Sequence, residues 1–327
     1  MKAAWYESTG EAQKVLQLGE MDLPEPKADE VLVRLHTSGI NPYDTKRRGG
    51  LLGTTMQFER VIPHNDGAGV IEAVGIDVDP QRVGERVWLY EAQLGRPFGT
   101  AAEYTVLPSK QAVTLPENTS FADGACLGIP AMTAHYCVFA DGAVQDKTVL
   151  VAGGTGAVGN YAVQLAKWGG AKVIATVGSD QKKAIATNSG ANQVINYKSE
   201  NVSDRVTEIT NGQGVDRIVE VAFASNLQVN QEIIKPNGAI AAYSSGDNNP
   251  VIPFRQFMLK NTLIRCVMTY AMPQSAHKEA VKDITTCLQA GVLQHLIAQK
   301  LPLSDIVAAH EAVEKGEGIG NIIMEII

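Results

Sequence analysis

The chain has 327 residues, 45% of them hydrophobic and 19% charged, enough apolar mass for a sizeable core and a composition that excludes a disordered chain. A net charge of −7 excludes the broad basic face that a nucleic acid or an anionic membrane surface requires, and the KRR cluster at 46–48 is too short to reverse that balance. Four cysteines without CxxC spacing exclude a disulfide framework and a structural zinc lobe. The first residues carry no signal-peptide core, and no run of about 18 apolar residues occurs, so a soluble, cytoplasmic protein is expected.

The length predicts roughly two domains. Up to about residue 120 the sequence reads as strands and turns: EVLVRLHTSGI, GAGVIEAVG, GERVWLYE and AAEYTVLP are short β-type runs bounded by Gly and Pro. An antiparallel, barrel-like domain with few helices is expected there. Beyond it an apolar helical stretch leads into KTVLVAG, and strand-type and helix-type runs then alternate through AKVIATVG, NQVINY, DRIVEVA, AIAAYSSG and TLIRCVMTY. Such alternation predicts a parallel sheet with helices on both faces. The tail from 275 has a helix-type run and ends in the strand-type GNIIMEII.

TVLVAG runs directly into GTGAVG and then into a helix-type segment, so Gly154, Thr155, Gly156, Ala157, Val158 and Gly159 form a GxGxxG turn between strand and helix. The first glycine permits the tight turn, the second lets the backbone approach a pyrophosphate, and the third lets helix and strand pack closely. An NAD site carries an acid at the end of the next strand to hold the ribose 2′-hydroxyl. Here that strand ends in Val177-Gly178-Ser179, with Lys182 and Lys183 following, and the missing acid points to NADPH. Asp180 is the one acid close by, and a solvated helix face is the ordinary alternative for the lysine pair.

SGINPYD, GAGVIEAVG, VGERVW, GTAAEYTVLP, ACLGIPAMTAHY, VLVAGGTGAVGNYAVQLAK and GANQVINY follow one another along the chain. In that order they resemble the medium-chain dehydrogenase/reductase superfamily, and most closely its zinc-free quinone oxidoreductase (zeta-crystallin-like) branch. The resemblance spans essentially the whole chain. It implies an α/β protein with an N-terminal GroES-like, mostly antiparallel β domain (1–122 and 271–327) and a doubly wound Rossmann domain (123–270). In the superfamily's zinc alcohol dehydrogenases a Cys follows the glycine of the first motif and a His-Glu pair precedes GAG. Here Asn41 and Asn65-Asp66 stand at those places, and GIPAMT brings no cysteine. His64 and Asp66 are left without a third partner, whereas catalytic zinc needs three protein ligands and an open position, so a metal-free pocket is expected.

Without a Lewis acid the natural substrate is already electrophilic, a quinone or an α,β-unsaturated carbonyl. The resemblance implies that Asn41 and Thr133 serve the reaction and that Tyr197 and Lys182 lie by the 2′-phosphate. It also implies that Tyr243 and Ser244 flank the nicotinamide half, and that Asn321 replaces a basic phosphate contact. Tyr43 is a candidate proton donor; Lys46, His64, Met268 and Tyr270 are candidates for the substrate pocket. His36, His135, His277, His295 and His310 read as structural or surface histidines, Cys126 and Cys137 as buried thiols, and Trp88 and Trp168 as core. The leading expectation is an NADPH-dependent quinone oxidoreductase, with reduction of the C=C bond of enones or alkenals as the alternative. A non-catalytic nucleotide-binding, crystallin-like or RNA-binding role is a third reading, and a zinc alcohol dehydrogenase the last. A homodimer joined through the edge strand at 262–269 is also expected.

Overall fold

The computed structural model describes residues 1–50, 55–316 and 318–327. They divide into two compact units: Met1–Ile129 with Asp283–Gly291 and His295–Ile327, and Pro130–Lys282 with Val292–Gln294. The first break lies at Ile129 rather than at 122, and the return to the first unit falls inside the helix Gln274–Gln289 rather than at 271.

In chain order the strands are β1 (Lys2–Trp5), β2 (Gln17–Glu20), β3 (Glu30–Ile40), β4 (Asp66–Val74), β5 (Arg86–Leu89), β6 (Tyr104–Pro108), β7 (Ala112–Thr114) and β8 (Thr148–Val151). They continue with β9 (Lys172–Val177), β10 (Gln193–Asn196), β11 (Val215–Glu220), β12 (Ile234–Ala242), β13 (Leu263–Cys266), β14 (Ile297–Pro302) and β15 (Asn321–Glu325).

In the first unit the main sheet runs β14-β15-β3-β4-β5-β7, with β6 also paired to β3, and β1 and β2 form a small antiparallel pair. All pairings of the main sheet are antiparallel except β14 with β15, a departure from the expected pattern. The long β3 is its hub because the alternation of Val31, Val33 and Leu35 with Leu32 and Arg34 suits a strand paired on both edges. Val31, Val33, Leu35, Ile71, Val87, Leu89 and Leu107 fill the interior and are all essentially inaccessible to water.

In the second unit the sheet is wholly parallel, in the order β10-β9-β8-β11-β12-β13. That is the classic doubly wound order, whose strand progression reverses between β8 and β11, and ligands bind outside the carboxyl ends of strands at such a reversal. Runs such as TVLV and KVIATV are nearly continuous apolar sequence because helices cover both faces.

Candidate functional site

The first cluster is built on the turn from β3 into the helix Pro42–Arg48, an element the strand-and-turn reading of this region does not include. Pro42 at the first helical position and Asp44 two residues later start it: the Asp44 carboxylate accepts the Asn41 backbone N–H at 2.8 Å. The register pairing Gly39 with Asp66 carries Asn41 to the Asp66 carboxyl, to which its amide donates at 2.7 Å. Asn65 Nδ2 donates to Asp44 at 2.8 Å, and the Ile129 N–H donates to both oxygens of Asp66 at 2.9 and 3.0 Å. Asn41, Asp44, Asn65 and Asp66 are all buried.

Burial pushes the Asp44 carboxyl up to about 6, against hydrogen bonds from Asn41 and Asn65 that pull it down. Burial likewise drives Asp66 well above the ordinary carboxylate range, with the Asp44 charge adding to the rise and the Asn41 bond opposing it. The positions where zinc relatives carry ligands therefore hold amides and carboxyls already spent on one another. Gly128 closes the space further, since a Cβ there would stand 2.1 Å from Asp66 Oδ1. Among the described residues no three His, Cys, Asp or Glu side chains are arranged to hold a metal ion. This donor set does not fit zinc.

His64 is a correction. Expected at the substrate pocket, it is 0% exposed: its Nδ1 meets Ser38 Oγ at 2.8 Å and its Nε2 meets His310 Nε2 at 2.9 Å. Its φ of 77° is the left-handed conformation that favours glycine. Lys46 is exposed on the helix, whereas Tyr43 and Arg47 line a cavity of about 240 Å³ with Tyr6, Thr9 and Gln57. Tyr6, Thr9, Gln57 and Arg47 were not among the residues singled out from sequence. Asn321 is buried in β15, and its amide donates to Leu296 O at 3.2 Å.

The second cluster follows β8. Gly153, just ahead of the GxGxxG, takes the left-handed turn at φ 69°, so the tight-turn role falls one residue earlier than the motif implies. Gly154 packs on the strand instead, where a Cβ would meet that of Ala175 at 2.8 Å. Gly159 fits its packing role, since a Cβ there would lie 2.1 Å from Gly153 O. A Cβ on Gly156 would find no atom nearer than 3.4 Å, so this face of the turn is open. Gly156 caps the helix Ala157–Trp168, whose first intrahelical bond is donated by Asn160, leaving the first-turn N–H groups of Ala157 and Val158 available to an anion. This cradle fits a dinucleotide pyrophosphate.

At the end of β9, Ser179 caps the next helix and Tyr197, half exposed, lies against Gly178: its hydroxyl would be 2.8 Å from a Cβ placed there. The two lysines separate. Lys183 is paired with Glu200 at 2.9 Å and Asp180 at 3.3 Å, so its charge is committed within the helix surface; among the described residues Lys182 has no carboxylate partner. A cavity of about 510 Å³ opens nearby, lined by Gly153, Thr176, Tyr197, Glu200, Ser225 and Asn226 among others.

Thr133 is buried, with its hydroxyl against that of Thr269. Tyr243 and Ser244 follow β12, and Met268 and Tyr270 follow β13, Met268 about half exposed. Burial raises the thiols of Cys126 and Cys137, which keeps them unreactive. Trp88 is core, but Trp168 is 42% exposed with its ring edge-on to Phe139.

Two family models match the chain: the alcohol dehydrogenase GroES-like domain over residues 27–117 and the zinc-binding dehydrogenase over residues 157–286. Fold and site thus define a medium-chain dehydrogenase/reductase, an oxidoreductase. The chain is 31% identical to human quinone oxidoreductase, over 93% of this chain and 92% of that protein. It is 29% identical to the 2-methylene-furan-3-one reductase of Solanum lycopersicum, over 99% of this chain and 79% of the other. Among solved structures it is similar to Escherichia coli quinone oxidoreductase complexed with NADPH, at 25% identity, TM-score 0.87 and full coverage of both chains. The chain belongs to the quinone oxidoreductase family of the medium-chain dehydrogenase/reductase superfamily.

Proposed function

We propose that the protein is an NADPH-dependent quinone oxidoreductase that reduces its acceptor without a metal. The observation carrying the cofactor choice is the end of β9, where Gly178 and Ser179 stand in place of an acid, beside Tyr197 and the uncommitted Lys182. A 2′-phosphate there meets a hydroxyl pair and a cation instead of a repelling carboxylate. The Gly154–Gly159 turn holds the pyrophosphate, and Thr133, Tyr243 and Ser244 flank the nicotinamide. NADPH supplies the electrons, as hydride or singly; the protein orients the acceptor and excludes water. Asn41, whose amide keeps a second N–H beyond the one given to Asp66, is assigned to the acceptor oxygen, and Tyr43 is assigned as the proton donor.

The spent donor set around Asp66 supports metal-free chemistry, which suits an acceptor that is electrophilic already. The tomato relative, by its name a reductase of an enone, favours C=C reduction as the second reading. No helix among the described residues is long and apolar enough to cross a membrane, and with four free thiols a cytoplasmic protein is proposed. A homodimer through β13 is also proposed: this edge strand and the segment before it expose Leu263 at 45%, Phe254 at 73% and Leu259 at 72%, surface an unpaired edge would leave to aggregation.

The test is cofactor oxidation with benzoquinone, phenanthrenequinone and an alkenal, using NADPH and NADH, with and without a chelator. Turnover with NADPH and a quinone that survives chelation is expected. Quinone turnover abolished by chelation would remove the metal-free reading, and alkenal turnover without quinone turnover would favour C=C reduction.

A further inference from the structure

We propose that the cavity of about 240 Å³ in the first unit is an anion-selective acceptor site, and that Arg47 binds a carboxylate carried by a small conjugated substrate. The proposal rests on the reductase reading above in its second, C=C-reducing form, and names a substrate class for that form. Arg47 sits in the last turn of the helix Pro42–Arg48, and its Nη1 donates to Gln93 Oε1 at 2.6 Å. Gln93 is 2% exposed and pinned through its own amide to Arg96 O at 2.8 Å, so the guanidinium is held in place by a neutral group.

Its neighbours are matched by acids: Arg48 pairs with Glu314 and Arg60 with Glu7. Among the described residues Arg47 has no carboxylate within ion-pair distance. Asp44, one turn earlier and attracted by the Arg47 charge, is buried on Asn41 and Asn65 instead. Among the described residues no Asp or Glu lines the cavity, whose walls include Tyr6, Thr9, Tyr43 and Gln57 with apolar Met56, Val61 and Leu94. Burial holds Tyr6 up to about 12, so it stays a neutral phenol that cannot neutralise the cation.

A planar guanidinium with free N–H donors matches a carboxylate bidentately. The volume lies below the roughly 300–1,000 Å³ of sites for drug-sized ligands, so the ligand is small. The anion is a handle and takes no part in the chemistry. Hydride from NADPH goes to one alkene carbon and a solvent-derived proton to the other, yielding the saturated carboxylate and NADP⁺.

The test compares two acceptors that differ only in a terminal group, β-acetylacrylate (carboxylate) and ethylideneacetone (methyl), in wild type and Arg47→Met and Arg47→Lys variants. The expected result is a higher kcat/KM for the anion in wild type. The anion-to-neutral ratio should fall about tenfold or more in Arg47→Met and less in Arg47→Lys. A ratio equal in wild type and Arg47→Met overturns the proposal while quinone or neutral-enone turnover leaves the reductase reading standing. If no acceptor is reduced, the reductase reading fails. Calorimetric binding of β-acetylacrylate to the wild-type protein then decides the anion site separately, and absence of binding overturns it.

Discussion

Nε2 of His64 and Nε2 of His310 stand 2.9 Å apart in a buried stack that joins the approach to β4 to the helix Ile306–Lys315. One bond between two ring nitrogens uses one proton, so the pair is satisfied when both imidazoles are neutral. Burial lowers His64 well below its ordinary value, and burial with the nearby Arg48 charge lowers His310 to about 3. The folded state therefore refuses protons that the unfolded chain accepts. Stability falls as pH drops below about 6.5 and keeps falling towards 3. Urea midpoints at pH 7.5 and 5 should show this loss, and His310→Phe should flatten the dependence. An unchanged slope in that variant would remove the pair as its source.

Asp44 acts in the opposite direction. Its folded value of about 6 lies above that of an unfolded aspartate, so the native state binds the proton more readily and its ionisation destabilises the fold as pH rises from about 4 through 6. Asn41→Asp would add a third carboxyl at the 2.7 Å contact with Asp66. That variant should lose more stability at pH 8 than at pH 5, by about 1–3 kcal/mol, because the added group needs a shared proton to be tolerated. Equal losses at the two pH values would contradict the geometry.

The glycine turn separates folding from cofactor binding. Gly159→Ala places a methyl 2.1 Å from Gly153 O and should lower the melting temperature sharply. Gly156 has an ordinary φ of −74° and an open Cβ direction, so Gly156→Ala should fold normally and lose NADPH affinity by fluorescence titration. Retained affinity would mean that the pyrophosphate does not approach this face.

Lys182→Ala should raise KM for NADPH about tenfold and leave KM for NADH nearly unchanged, since only one of them carries the 2′-phosphate. Lys183→Ala, which breaks pairs with Glu200 and Asp180, should shift thermal stability slightly and leave the NADPH/NADH ratio alone. The reverse pattern would exchange the roles of the two lysines.

Sedimentation at several concentrations tests the β13 edge. Wild type should run as a dimer, and Leu263→Lys, a charge on an edge residue 45% exposed, should run as a monomer. A dimer that survives the substitution places the interface elsewhere.

The parallel sheet was legible because TVLV and KVIATV carry the near-continuous apolar signature of doubly covered strands, and the glycines mark the turn after the first of them. Asn41 and Asp66 could be singled out one by one, but their bond depends on the β3–β4 register, which spacing alone does not set. His64 was misplaced because sequence gives no φ, and its partner His310 is 246 residues away. Arg47 was hidden, and Lys182 could not be told from Lys183, for a related reason. Whether a cation is free or neutralised depends on its neighbour's rotamer and partner, and the KRR and KK runs make adjacent lysines and arginines look alike.

Gly128 gives the pocket a kind of irreversibility. A ligand-bearing side chain at this position would collide with the Asp66 carboxyl, and removing that carboxyl would strand the Asn41 amide and the Ile129 N–H. Each single replacement toward a metal site thus disables a group already in use before it contributes a donor. An engineer wishing to build a metal site here would have to change Asn41, Asp66 and Gly128 together, because each single replacement breaks a bond in use or creates a clash.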